Sequence, residues 1–298
     1  MTKDQYTFQN PVTRYPSISP PEQDQPEPGL DRDLVPQTDR GEHSYRGTGR
    51  LTGRKALITG ADSGIGAAVA IAYAREGADV ALSYLPEEEV DAQDVVRIIR
   101  ACGQIAVPLP GDIASAEAAR SLVAAAAQQL GGLDIVVNNA GKQISVDNLE
   151  DLSDEQFEST FTTNIFAIFW ITKAALPHLP VGATIINTTS VQAYNPSPNL
   201  IDYAATKAAI NNLTKGLAQQ LAPRGIRVNA VAPGPFWTPL QVSDGQPKEK
   251  LPTFGKNTPL GRAGQPTELA PAYVFLASPE SSYVLGETLN VNGGTPTP

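Results

Sequence analysis

From Leu51 onward, short apolar runs alternate with amphipathic or alanine-rich stretches. The runs predict strands at Lys55–Thr59, Val80–Tyr84, Ile105–Leu109, Leu133–Asn138, Thr184–Thr188, Ile226–Val231 and Thr288–Val291. Between the first six lie segments with helical spacing: Ile65–Arg75, Glu87–Ala101, Ala116–Leu130, Asp154–Leu179 and Tyr203–Leu221. Continuous β-branched runs separated by helices predict a parallel sheet covered on both faces. The expected fold class is therefore α/β, a doubly wound sheet of about seven strands in one domain spanning residues 51–298. In such sheets ligands bind at the carboxyl ends of the strands.

Residues 1–50 break the pattern. They carry Pro11, Pro16, Pro20, Pro21, Pro26, Pro28 and Pro36 and show little apolar periodicity. Such a segment cannot build a core of its own, so it is either disordered or an arm lying on a folded surface. Tyr6, Phe8, Tyr15 and Tyr45 are the candidate anchors for the second arrangement.

Composition narrows the function classes. A net charge of −9 argues against a nucleic-acid partner, since phosphate binding needs clustered Lys and Arg. Cys102 is the one cysteine, so no intrachain disulfide forms. With His43 and His178 the only histidines, a His-rich metal site and a Ser-His-Asp triad are hard to build, and no metal is expected. Neither a secretory signal nor a run of about 20 apolar residues occurs, so no membrane association and a cytoplasmic location are expected.

The chemistry concentrates at strand ends. Thr59-Gly60-Ala61-Asp62-Ser63-Gly64-Ile65-Gly66 runs from the first strand into the first helix. Glycines there let the backbone approach a pyrophosphate, which the helix N-terminus favours. Asn138-Asn139-Ala140-Gly141 follows the fourth strand, and Asp112 follows the third, where it can accept from an adenine amino group or serve as a turn residue. Tyr203 and Lys207, four apart, share a helix face. An ammonium beside a phenol lowers the phenol's pKa toward acid/base range. Ser190, just past the fifth strand, can hold a substrate oxygen. Asn164 is a polar residue in an otherwise apolar helix and can bind a relay water or be a satisfied core amide.

Together, Thr59-Gly60-xxx-Gly64-Ile65-Gly66, Asn138-Asn139-Ala140-Gly141, Asn164, Ser190, Tyr203-xxx-Lys207 and Pro233-Gly234 resemble, in order, the motifs of the short-chain dehydrogenase/reductase family. The resemblance covers about residues 51–294, and the proline-rich arm looks like that of a bacterial subgroup described as stress-related or general oxidoreductases. It implies a Rossmann-type fold and hydride transfer between a nicotinamide cofactor and an alcohol or carbonyl substrate. It also implies a tetrad in which Tyr203 exchanges the proton, Ser190 steadies the carbonyl, Lys207 binds ribose and lowers the Tyr203 pKa, and Asn164 holds a relay water. The implied cofactor-binding set is Gly60, Ser63, Gly64, Ile65, Gly66, Tyr84, Leu85, Asp112, Ile113, Asn139, Ala140, Gly141, Thr188, Tyr203, Lys207, Pro233, Gly234, Phe236 and Thr238. A homotetramer is implied too, paired through Asp154–Leu179 and Tyr203–Leu221.

NAD(H) is favoured over NADP(H). Tyr84 stands where NAD-using relatives often carry Asp, yet no Lys or Arg occurs from Gly77 to Val96, and Glu87, Glu88 and Glu89 oppose a 2′-phosphate if they face it. Their alternative role is an acidic first helical turn. Beyond Thr238, the polar stretch Gln241–Lys256 is expected to form a lid, with Trp237, Leu240, Phe254 and Tyr194 as a candidate apolar wall.

Overall fold

The computed structural model describes residues 4–297. Seven parallel strands form one sheet: β1 (Lys55–Thr59), β2 (Asp79–Tyr84), β3 (Ala106–Pro110), β4 (Ile135–Asn138), β5 (Thr184–Thr188), β6 (Arg227–Pro233) and β7 (Thr288–Val291). Their spatial order is β3-β2-β1-β4-β5-β6-β7. After β3 the chain returns across β1 to start β4, so the order reverses at the β1/β4 boundary. A crevice opens at that switch point, outside the carboxyl ends of both strands.

Helices cover both faces. On one side pack α1 (Gly64–Arg75), α2 (Glu89–Ala101) and α7 (Pro266–Ala277); on the other, α3 (Ala116–Leu130), α5 (Ala167–Ala175) and α6 (Ile201–Leu221). The residues of α1 are nearly all buried, because it is wedged between the sheet and its neighbours α2 and α7. By contrast α2 is amphipathic, burying Ala92, Val95, Val96 and Ile99 against that core.

Boundaries shift by a few residues, but two differences are substantive. The expected helix Asp154–Leu179 is α4 (Asp154–Phe161), a π-turn over Thr162–Phe166, and α5, which ends ahead of Pro177. Second, α7 was not expected at all. Pro271 interrupts its pattern as a helix breaker would, yet Leu269, Ala270, Tyr273 and Val274 pack into the α1 core, and that burial outweighs the missing backbone bond.

The proline-rich segment is an arm laid on this body. Its main apolar anchor is Leu34, fully buried with Trp237, Val242, Leu251 and Ala263. Tyr45 is also buried, and its hydroxyl donates to Glu76 at 2.7 Å. Phe8, expected to be an anchor, is fully exposed, and Tyr6 is half exposed against Arg46. Elsewhere the arm is held through backbone groups. Gln25 N donates to Val242 O (2.9 Å), Trp237 Nε1 to Pro36 O (2.8 Å) and Arg262 Nη2 to Pro11 O (2.8 Å).

Candidate active site

The glycine-rich turn is shaped by close packing. A Cβ on Gly66 would lie 1.7 Å from Gly60 O, which no side chain survives. Gly60 and Gly64 adopt φ of +60° and +47°, a region L-residues seldom enter. Thr59 ties this turn to the loop after β4: its Oγ1 accepts from Asn139 N and Ala140 N, both at 3.0 Å. Asn139 Nδ2 answers with bonds to Thr59 O (3.2 Å) and Gly60 O (3.0 Å). Two loops far apart in sequence thus form one rigid floor at the switch point.

Above it lies a cleft of about 1190 Å³. It is lined by Gly60, Ser63, Gly64 and Ile65 from the turn, Tyr84 and Leu85 after β2, and Asp112 and Ile113 after β3. Asn139, Ala140, Gly141, Thr188, Pro233, Gly234, Phe236 and Thr238 complete the expected cofactor set, together with Tyr203 and Lys207. Gly66 lies behind the surface as a packing residue. The floor, the open helix N-terminus at Ile65 and the ammonium of Lys207 suit a dinucleotide laid across the strand ends.

Ser190, Tyr203 and Lys207 line the same cleft. Ser190 Oγ accepts from Gln192 N at 3.2 Å, fixing the hydroxyl at the end of β5. Lys207 Nζ donates to Thr188 O at 3.0 Å and sits 5.2 Å from the centre of the Tyr203 ring. Thr188 Oγ1 is in turn 2.7 Å from the hydroxyl of Tyr273 on α7. Burial dominates both titrating groups. It pushes the Tyr203 phenol up to about 12, with the Ser190 hydroxyl opposing, and it pulls Lys207 down to about 8. In the cleft as it stands, burial and the Ser190 hydroxyl set the Tyr203 phenol's direction, and the expected lowering by Lys207 belongs to the site with its cofactor bound. Desolvation is the larger influence on this buried phenol, while the Lys207 ammonium donates to a backbone carbonyl.

Asn164 falls in the π-turn between α4 and α5, a helical irregularity common at functional sites. Its Oδ1 accepts from Lys142 N at 2.7 Å, and its Nδ2 donates to Lys142 O (2.9 Å) and Thr206 Oγ1 (3.0 Å). It is fully buried and does not line the cleft. Asn164 Oδ1 and Lys207 Nζ nevertheless flank one point beside Gly141, where a Cβ would lie 3.5 and 3.6 Å from them.

The adenosine end is more acidic than the sequence suggested. Glu88 accepts from Leu85 N (2.7 Å) and Glu89 from the Tyr84 hydroxyl (2.8 Å), so these two brace the turn, and Glu87 and Glu88 both line the cleft. Asp62, inside the glycine-rich turn, is buried, with no hydrogen-bond partner for Oδ2 among the described residues. Burial pushes the carboxyls of Asp62 and Glu88 upward, and they repel each other. Asp62 is not among the residues the motif implies; a charged residue inside a turn due for burial is the sequence signal for it.

The expected lid is not free. Two short 3₁₀ turns, Pro239–Gln241 and Lys248–Thr253, fold it against the arm. Leu240 and Phe254 reach the cleft, but Trp237 is buried under the arm and Tyr194 is outside the lining, so the apolar wall is half of that expected. Amides share that wall, Gln143, Gln192, Asn195, Gln246 and Asn257, beside Val191, Ser197 and Leu200.

Known proteins resemble this chain in sequence and in fold. A family profile described as "Enoyl-(Acyl carrier protein) reductase" matches residues 60–296. An uncharacterized oxidoreductase of Escherichia coli, YghA, is 59% identical over 96% of this chain and 98% of its own. A glucose and ribitol dehydrogenase of Daucus carota is 41% identical over 92% of this chain and 96% of its own. A crystal structure of a short-chain dehydrogenase from Burkholderia cenocepacia in complex with NADP superposes with a TM-score of 0.76 at 37% identity, covering 82% of this chain and 98% of that one. This chain belongs to the short-chain dehydrogenase/reductase family and is an NAD(P)-dependent oxidoreductase that moves hydride between a nicotinamide cofactor and an alcohol or carbonyl group.

Proposed function

We propose that Tyr203 is the general acid/base, donating its proton to the carbonyl oxygen in reduction while Ser190 holds that oxygen. Lys207 carries the positive charge beside the phenol and holds the nicotinamide ribose, and Asn164 continues the proton path past Gly141. When bound, the cofactor supplies or accepts hydride; the protein's part is to aim the carbonyl, exclude water and move one proton. The observation carrying this reading is that Ser190, Tyr203 and Lys207 converge in the cleft that also holds the glycine-rich turn.

NAD(H) is the preferred cofactor in this reading. Among the described residues, Asp62, Ser63, Tyr84, Leu85, Pro86, Glu87, Glu88 and Asp112 line the adenosine end without a basic side chain, and a 2′-phosphate would meet carboxylates. The Burkholderia relative was solved with NADP, which makes this the sharper claim to test. The substrate is a small polar, hydroxylated alcohol or carbonyl, as the amide wall beyond Ser190 favours. The protein works in the cytoplasm as a homotetramer, with the exposed Phe157, Phe166 and Phe169 of the α4–α5 region buried between subunits. Absorbance at 340 nm with NADH and NADPH over a panel of aldehydes, ketones, secondary alcohols and polyols tests this. Turnover is expected with NADH and polar substrates. A tighter Kd for NADPH than for NADH overturns the cofactor preference, and binding without turnover on the whole panel overturns the catalytic reading.

A further inference from the structure

Gly64 opens α1, and its N–H is one of the helix-end donors that find no partner within the helix. Ser63, in the capping position, makes no side-chain bond to it. The acceptor comes instead from the arm: Asp31 Oδ2 lies 2.9 Å from Gly64 N. That carboxylate is buried and constrained from several sides. Thr38 Oγ1 donates to Oδ1 at 2.9 Å, and the Arg40 guanidinium stands 3.5 Å from Oδ2. Asp31 N donates to Asp91 Oδ2 on α2 at 2.6 Å. The same stretch of arm enters the cleft, where Glu27 and Pro28 form part of the wall and Glu27 Oε2 accepts from Lys142 Nζ at 3.0 Å. Lys142 is the residue whose backbone Asn164 clamps.

We infer that Asp31 is a positioning residue of the cofactor site, an external cap that the arm delivers to the glycine-rich turn. The inference rests on that turn being the dinucleotide site. A turn built on Gly60 and Gly64 is conformationally soft. Fixing the first N–H of α1 to a carboxylate anchored on both the arm and α2 sets the direction of the amides that follow, beginning with Ile65. Holding the turn in its binding conformation removes an ordering cost from cofactor binding. By linkage, the bound dinucleotide strengthens docking of the arm by the same factor. Arg40 neutralises the carboxylate, so Asp31 does not set a bare negative charge against the incoming pyrophosphate.

The test is direct titration of NADH and NADPH into full-length wild type, Asp31→Asn, Asp31→Ala and Tyr15→Phe, read by nicotinamide fluorescence, with Tm and steady-state kinetics alongside. Hydrogen bonds to ionised acceptors are among the stronger ones, so Asp31→Ala is expected to weaken binding about tenfold or more, with kcat at saturating cofactor within about twofold. Asp31→Asn keeps a carbonyl acceptor for Gly64 and is expected to stay within about threefold of wild type. Tyr15→Phe removes the arm's bond from Tyr15 to Asp39 (2.8 Å), and Tyr15 touches neither turn nor cleft; it should lower Tm without moving Kd. If Asp31→Ala does not fold, Asp31→Ser, too short to span the distance, takes its place with the same expectation. Binding by Asp31→Ala within twofold of wild type overturns the inference, as does an equal loss in Tyr15→Phe. Wild-type protein that binds neither dinucleotide overturns the reading of the turn itself, and this inference with it.

Discussion

The body and the arm meet at one cleft but are held by different physics. In the body, β1 to β7 and their helices bury apolar faces, and the site residues ride on those elements at strand ends. In the arm, Leu34 is the fully buried apolar anchor, and most other ties are single hydrogen bonds to backbone carbonyls or buried carboxylates. Glu76 shows the second style well. Burial pushes its carboxyl up, but the N–H groups of Arg50 and Thr48 and the Tyr45 hydroxyl hold it below the ordinary range. A packed core tolerates the loss of one contact better than a strap whose ties each have a distinct partner. Catalysis is expected to fail through the body, and cofactor affinity through the arm.

The largest effect should come from the body. Tyr203→Phe removes the proton donor and leaves the cleft wall intact, so turnover should fall by about two to four orders of magnitude while NADH still binds. Stopped-flow reduction beside fluorescence titration separates the two. Turnover within tenfold of wild type would place the acid elsewhere.

Removing the arm sharpens the contrast from the other side. A truncated protein starting at Thr48 loses Leu34, Asp31 and Glu27 and uncovers Trp237 and Val242. Dinucleotide affinity should drop by at least about tenfold, since the cap on Gly64 goes, and the melting temperature should fall by several degrees. Calorimetry and thermal melting read both. Unchanged affinity and Tm would make the arm a passenger.

The two regions were unequally legible for the same reason. Periodicity reports burial of a face, so the seven strands and most of the expected helical stretches could be found from apolar spacing, whereas the candidate site residues came from motifs that resemble the family's. The π-turn at Asn164 carries no such signature, and Pro271 disguised α7 as a break. The arm's contacts depend on which carbonyl lies opposite which side chain across the fold. Asp31 and Gly64 are 33 residues apart with no repeat linking them, and Asp62 gains its burial from elements distant in sequence.

A pH profile tests the body's electrostatics with a smaller effect. The phenol of Tyr203, pushed up to about 12, stays protonated and able to donate through the neutral range, whereas Lys207, pulled down to about 8, loses its charge just above it. For carbonyl reduction, kcat/KM should be level up to about pH 7.5 and then fall, approaching tenfold per unit. A profile that stays flat to about pH 10 would show either that the ammonium is not needed or that bound cofactor holds the proton on it; Lys207→Met distinguishes these, being inactive only in the second case.

The smallest expected effect lies where arm and body meet, at Asp62. Its folded pKa is raised above the unfolded value by burial first, then by the charges of Asp91 and Asp31 as well as Glu88. A carboxyl shifted upward binds more protons folded than unfolded in the window between the two pKa values, so stability rises as pH falls through that window and is lowest above it. Asp62→Asn removes the charge while keeping size, and its amide can donate to a neighbouring carboxylate. At about pH 7.5 the variant should melt a few degrees higher than wild type, and the gap should close as pH falls toward the ordinary carboxylate range. With one negative charge gone from the adenosine end, the ratio of NADPH to NADH affinity should also rise a few-fold. Melting curves across pH, with both dinucleotides titrated at pH 7.5, measure the two effects together. A lower Tm for Asp62→Asn at every pH would mean that the charged Asp62 has a partner it needs, and that burial is not what raises its pKa.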